Sequence, residues 1–220
     1  VVSEQGDLNP VFLIPENTAI VRLDDKEPSC KHTNFIVIGG CLQSGNLVNW
    51  HFGVQVVSQN DRMALDVGYS MQTLNLPTAR MMHQACLVKN SNNEWRMLVI
   101  GGKFGQHQAS AIYTNSVLAL DMKYVLSPWL AEKQGAQMPN WTSCAYMASA
   151  RANFAHTVIG NLVYVYGGIA DKGKGDEAHF PTLASPVIER YDPREDKWTT
   201  VEIDGAPQLA AFAWTDMGAD

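Results

Sequence analysis

The sequence predicts an all-β protein built from a repeated four-stranded antiparallel unit. Three observations predict it. First, three segments share one ending: Phe35-Ile36-Val37-Ile38-Gly39-Gly40, Met97-Leu98-Val99-Ile100-Gly101-Gly102 and Val163-Tyr164-Val165-Tyr166-Gly167-Gly168. From Gly39 to Gly101 is 62 residues, and from Gly101 to Gly167 is 66. Second, each is preceded by another apolar run, and these runs are too short for helices. Third, helical periodicity is nearly absent, so a fixed period of this size signals stacked β units.

The elements follow in order. The first copy offers Ala19-Ile20-Val21, the run ending in Gly39-Gly40, then Val54-Gln55-Val56-Val57 and Ser70-Met71-Gln72-Thr73-Leu74. The second offers Ala85-Cys86-Leu87-Val88, the turn residues Asn90-Ser91-Asn92-Asn93, the Gly101-Gly102 run, Ser116 to Asp121, and Trp141-Thr142-Ser143-Cys144. In the third, Ala155-His156-Thr157-Val158 turns through Gly160-Asn161 into the Gly167-Gly168 run. Val187-Ile188-Glu189-Arg190-Tyr191 then alternates like a half-buried strand, Asp192-Pro193 turns the chain, and Trp198-Thr199-Thr200-Val201 opens the fourth strand. Leu209-Ala210-Ala211-Phe212-Ala213-Trp214 reads as the first strand of a further unit.

Apolar residues before Gly-Gly, followed by Tyr191-Asp192-Pro193 and Trp198, resemble the kelch repeat of β-propeller proteins. The lead-ins Leu76-Pro77-Thr78-Ala79-Arg80-Met81-Met82-His83 and Ala150-Arg151-Ala152-Asn153-Phe154 resemble that family's approach to each blade. The resemblance covers roughly residues 19–215; the first copy departs from it, with Val57 and Tyr69 near where the Tyr and Trp belong. It implies a kelch-type propeller divided as 1–18 (extension or end of a preceding blade), 19–84 (degenerate blade), 85–154, 155–208, and 209–220 (start of another blade). Kelch repeats run to about 50 residues and closed propellers to about four to eight blades. Three long repeats and a stub therefore predict an incomplete ring, completed by further blades of a longer chain or by self-association. The start at Val1, without initiator Met or signal segment, fits a processed product or a piece of a longer protein.

A formal charge of −6 argues against nucleic acid as a partner. No apolar run approaches the roughly 18 residues of a membrane-spanning helix, so no membrane partner is expected. Cys30, Cys41, Cys86 and Cys144 show no CxxC spacing and read as thiols in a reducing compartment, giving a cytoplasmic expectation with the cytoskeleton included. Asn140-Trp141-Thr142 forms a glycosylation sequon, which keeps a secreted glycoprotein open as a third reading.

Several motifs invite chemistry. Gly168-Ile169-Ala170-Asp171-Lys172-Gly173-Lys174-Gly175, followed by Asp176-Glu177-Ala178-His179, nearly spells a nucleotide-binding loop. Gly175 stands where a magnesium-binding hydroxyl belongs, and no helix follows to meet a phosphate, so ATP is not expected. The Gly-Gly pairs read as positions of tight backbone packing and positive φ. His32, His51, His83, His107, His156 and His179 show no metal-ligand spacing. No cofactor, metal or catalytic residue is expected, although the resemblance includes sugar oxidases and isomerases with axial active sites. An enzyme of that kind is the alternative reading.

Strand direction locates a docking surface. With antiparallel strands a to d, the b-to-c loops and the d-to-next-a links emerge at one end of each unit. The b-to-c loops run Cys41–His51, Lys103–Tyr113 and Ile169–Ser185, and long loops on rigid scaffolds carry function. They supply Trp50, Phe52, Phe104, His107, Lys172, Lys174, Glu177 and Phe180; the links add Arg80, His83, Arg151 and Asn153. In kelch adaptors this end receives a partner peptide, with arginines forking onto carboxylates. The resemblance thus implies a non-enzymatic scaffold, substrate adaptor or cytoskeletal component binding a protein, with an acidic segment as the expected ligand. The structural alternative is that Arg80 and Arg151 hold the blades together by hydrogen bonds.

Overall fold

The computed structural model describes residues 16–22, 35–42, 44, 46–48, 51–59, 62–70, 75–105, 111–122, 140–170, 182–183 and 187–201. Strands β1 (Ala19–Arg22), β2 (Phe35–Ile38), β3 (His51–Gln59) and β4 (Arg62–Ser70) form the first sheet, in that order. Next come β5 (Gln84–Lys89), β6 (Trp95–Ile100), a short ribbon of β7 (Lys103–Phe104) and β8 (Ile112–Tyr113), then β9 (Val117–Asp121) and β10 (Thr142–Cys144). The second sheet runs β5-β6-β9-β10, with the ribbon projecting between its two inner strands. The third repeats the plan: β11 (Ala155–Ile159) and β12 (Leu162–Tyr166), a ribbon of β13 (Ile169–Ala170) and β14 (Thr182–Leu183), then β15 (Ile188–Asp192) and β16 (Lys197–Val201). All pairings within the sheets are antiparallel.

Two sequence expectations are corrected. The fourth strand of the first sheet is Arg62–Ser70 rather than 70–74. Its pairing with β3 starts at Gln59↔Arg62 and ends at Phe52↔Ser70, with a register shift between Phe52 and Val54. A hairpin needs only two linking residues, and Asn60-Asp61 is turn-forming sequence. Phe52, expected in a loop, is the second residue of β3, because the ladder with β2 extends from Phe35↔Val54 to Ile38↔His51. The expected strand at 209–214 lies outside the described residues.

The alternation of side chains explains why β6 is apolar without interruption. Met97 and Val99 join Ala19, Val21, Ile36, Ile38, Ala85 and Leu120 in a core between the first and second sheets. Leu98 and Ile100 join Cys86, Val88, Val117, Ala119, Val163, Val165 and Tyr191 in a core between the second and third. Both faces of β6 are therefore dry, and a strand covered on both sides reads as a continuous hydrophobic run. Burial pushes the Cys86 thiol up to about 12, so it stays protonated as an apolar filler.

Both ends of β5 are tied to the third sheet. Gln84 Nε2 donates to the Phe154 carbonyl (2.9 Å). At the other end, the Lys89 N–H donates to Asn161 Oδ1 (2.6 Å), and Asn161 Nδ2 donates to the Lys89 carbonyl (2.9 Å). Gly160 and Asn161 link β11 to β12 at φ +57° and +73°, the two left-handed positions of a tight hairpin turn.

Candidate functional site

At the end of the sheets where the Gly-Gly pairs lie, one backbone pattern recurs three times. Each lead-in pairs with the residue after its own Gly-Gly: Glu16 with Cys41, Met81 with Lys103, Ala152 with Ile169. The second glycine of one sheet donates to the arginine carbonyl of the next lead-in: Gly40 to Arg80 and Gly102 to Arg151, both at 2.9 Å. Successive lead-ins also join directly, Met82 N–H to the Asn17 carbonyl (3.0 Å) and Asn153 N–H to the Met82 carbonyl (2.9 Å). Asn17, Met82 and Asn153 have φ of +54°, +56° and +51°. At Met82 and Asn153 the left-handed turn aims the N–H at the preceding lead-in, a strained state that costs least for Asn.

This network explains the paired glycines. A Cβ on Gly39 would lie 2.8 Å from the Arg80 carbonyl oxygen, and one on Gly101 would lie 2.7 Å from that of Arg151. Gly168 is held in the same way: a Cβ there would sit 2.6 Å from the Ala152 carbonyl oxygen. The glycines admit the neighbouring backbone.

The arginines lie inside this network. Arg151 donates from Nη1 to the Gly167 carbonyl (3.0 Å) and from Nη2 to Glu189 Oε1 (2.6 Å). Glu189 also accepts the backbone N–H groups of Ala148 and Ser149, so one buried carboxylate ties Arg151 to the middle of the link from β10 to β11. Arg80 holds the same place in the second sheet, donating from Nη1 to the Gly101 carbonyl and to Ser116 Oγ, both at 3.1 Å. Its carboxylate is missing. Val165 pairs with Glu189, whereas the corresponding Val99 pairs with Leu118. Pro77 stands at the place of Ala148 and has no N–H to satisfy, and Thr78, at the place of Ser149, is exposed, where water can meet its N–H.

The consequences are electrostatic. Burial lowers the Arg80 pKa to about 10; its Nε, like that of Arg151, has no hydrogen-bond partner. The half-buried Phe104 ring lies with its centroid 5.1 Å from the guanidinium carbon, a cation–π contact. His83 is buried alongside with neither ring nitrogen hydrogen-bonded. Desolvation, then the Arg80 charge, lower its pKa to about 3 against a smaller opposing influence from the Ile38 backbone, so the ring is neutral at pH 7.

Of the expected docking residues, Arg80, His83, Phe104, Arg151 and Asn153 do converge at this end. Arg151, Arg80 and His83 are 0%, 3% and 2% exposed, so in the free protein they are interior groups. The hydrogen bonds of the two arginines join each lead-in to the sheet that follows it. Trp50, His107, Lys172, Lys174, Glu177 and Phe180 lie outside the described residues, and Phe52 belongs to β3.

Sequence reasoning missed two exposed apolar residues here. Ile112, in β8, is 64% exposed, and Tyr146, in the link from β10 to β11, is 56% exposed. The link is laced to the segment just after β8: Met147 N–H donates to the Asn115 carbonyl (3.0 Å), and Asn115 Nδ2 returns to the Met147 carbonyl (2.9 Å). An isolated apolar residue in a loop carries no sequence signal of exposure, so neither could be singled out beforehand. Among the described residues no group of three His, Cys, Asp or Glu side chains converges to hold a metal.

Comparison with known families matches the kelch motif over residues 150–202. That stretch contains the third sheet and its lead-in from Ala150. No curated protein matches the chain. Kelch motifs generally mediate contacts between proteins. The matched sheet shares its strand order, Gly-Gly geometry and arginine position with the second sheet, and its strand order and Gly-Gly geometry with the first; residues 150–202 carry a kelch motif, and the fold is all-β, made of four-stranded antiparallel sheets of the kelch-blade kind.

Proposed function

We propose that the chain is a non-enzymatic interaction module, a scaffold, substrate adaptor or cytoskeleton-associated component that binds a protein partner at the loop end of its blades. The observation that carries this reading is the joint exposure of Ile112 and Tyr146 on segments locked together by the Asn115–Met147 hydrogen bonds. Large apolar side chains held on a rigid base lose little entropy on binding, which suits them to anchor a partner. The free thiols of Cys41, Cys86 and Cys144 support a reducing, cytoplasmic setting.

The test is chemical cross-linking of the 220-residue chain to proteins of its host lysate. The double variant Ile112→Lys/Tyr146→Lys is expected to lose cross-links that Ile159→Lys retains; Ile159 is 53% exposed at the opposite end of β11. Equal cross-linking by both variants removes the loop end as the docking surface.

A further inference from the structure

We propose that His83 makes the seam between the first and second sheets acid-sensitive: protonation of its ring parts these two sheets while the second and third stay joined. The device is a property of the fold and does not rest on the interaction reading above.

The ring is wedged in that seam. A Cβ added to Gly39, just after β2, would lie 2.7 Å from His83 Cε1. One added to Gly102, just after β6, would lie 2.8 Å from His83 Cβ. His83 therefore fills the joint between the first two Gly-Gly pairs, where it is buried. To leave the joint it must move the backbone of one sheet away from the other.

The surroundings suit only the neutral ring. Arg80, on the same lead-in, is the charge that acts on it, and that charge is positive. From the first sheet the ring meets the Gly39 backbone; the titratable groups beyond it, Cys41 and Glu16, pair with each other through their backbones. From the second sheet His83 meets Gly102, which is followed by another cation, Lys103. The lead-in of the third sheet reaches Met82 through Asn153, and its own cation, Arg151, is held by Glu189. The Ile38 carbonyl, whose influence favours the charged ring, already takes the Thr18 hydroxyl at 2.8 Å. An imidazolium here is a second buried positive charge beside Arg80, and water relieves it once the seam opens.

The seam between the second and third sheets differs in both respects. Its buried arginine, Arg151, meets an internal carboxylate. Its two sides are also laced by side-chain hydrogen bonds, between Gln84 and Phe154, between Lys89 and Asn161, and from Ala145 to both Asp196 and Trp198. Acid therefore acts on the seam that holds the conflict of charge, an opening smaller than global unfolding.

The test is amide hydrogen exchange of the full chain by NMR at pH 7 and pH 5, each expressed as protection relative to the intrinsic rate. The N–H groups of Gly40 and Met82, bonded to the Arg80 and Asn17 carbonyls, report the first seam. Those of Gly102 and Asn153, bonded to the Arg151 and Met82 carbonyls, report the second. In the opened state the ring regains an ordinary pKa of about 6.5, so protection of Gly40 and Met82 is expected to fall about 25-fold between the two pH values. Gly102 and Asn153 are expected to keep theirs. His83→Gln, a neutral polar side chain with no proton to gain, is expected to abolish the fall. Where that variant does not fold, the contrast between the two pairs of amides in the unaltered chain decides alone. Unchanged protection at Gly40 and Met82, an equal fall at Gly102 and Asn153, or a fall that survives His83→Gln overturns the proposal.

Discussion

Arg151 Nη2 and Glu189 Oε1 meet at 2.6 Å with their side chains 0% and 1% exposed, a buried ion pair joining a lead-in to the third strand of its blade. Removing one member leaves the other charged and dry. Glu189→Ala also orphans the N–H groups of Ala148 and Ser149. The expected loss is about 3–5 kcal/mol of unfolding free energy, read from urea denaturation. Arg151→Met, which leaves Glu189 its two backbone donors, is expected to lose less. An equal loss in both variants assigns the stabilisation to the ion pair alone and sets aside the role of the carboxylate in the link.

Gly168 and Gly160 both have positive φ, at +92° and +57°, but only Gly168 is crowded. Gly160→Ala meets nothing within 4 Å and is expected to cost about 1–2 kcal/mol, the conformational penalty alone. Gly168→Ala adds a collision with the Ala152 carbonyl and Phe154 Cβ, at 2.6 and 2.8 Å, and is expected to lower the melting temperature well beyond the Gly160→Ala shift. Equal shifts mean that the neighbouring lead-in yields easily, and that the Gly-Gly pairs serve backbone conformation only.

The repeat was legible because one local signal, an apolar run closed by Gly-Gly, sits where close backbone packing leaves no alternative. The fourth strand of the first blade was not: that copy lacks the Tyr and Trp that mark the strand in the third, where their ring centroids lie 5.0 Å apart. The two arginines lie at the Gly-Gly end of the blades, and nothing in the local sequence signals their burial. That of Arg151 is matched by Glu189, 38 residues further on and on a non-adjacent strand. The contrast between blades was nonetheless written in the sequence: Leu118 and Pro77 stand where Glu189 and Ala148 stand, so the acid and one of the N–H groups it accepts are replaced together.

His83 makes stability depend on pH. Its folded pKa is lowered to about 3, by burial first and the Arg80 charge second, from an ordinary value of 6.5. Below pH 6.5 the unfolded chain binds a proton that the folded chain refuses, so stability falls as pH drops from about 6.5 toward 3. The slope over this window is about 1.4 kcal/mol per pH unit from this residue. Arg80→Met removes the secondary repulsion and is expected to narrow the window; His83→Leu is expected to remove this contribution. Urea midpoints at pH 7 and pH 5 in the three proteins measure it, and a drop unchanged by His83→Leu assigns the acid sensitivity elsewhere.

Asn161 joins two requirements that a single substitution separates. Its φ of +73° suits the turn, and its side chain clasps the Lys89 backbone of the neighbouring blade with bonds of 2.6 and 2.9 Å. Asn161→Gly keeps the turn and loses the clasp, which is expected to cost about 1–3 kcal/mol, since two backbone groups lose partners while water replaces part of the loss. Asn161→Ala loses both and adds about 1 kcal/mol of backbone strain. The clasp ties the far end of β5 to the third blade, so amide exchange at Lys89 should accelerate in both variants while Met97 and Val99, in the core between the first two blades, remain protected. Faster exchange at Met97 and Val99 in Asn161→Gly means that the blades do not open separately, and that the clasp stabilises the array as one cooperative unit.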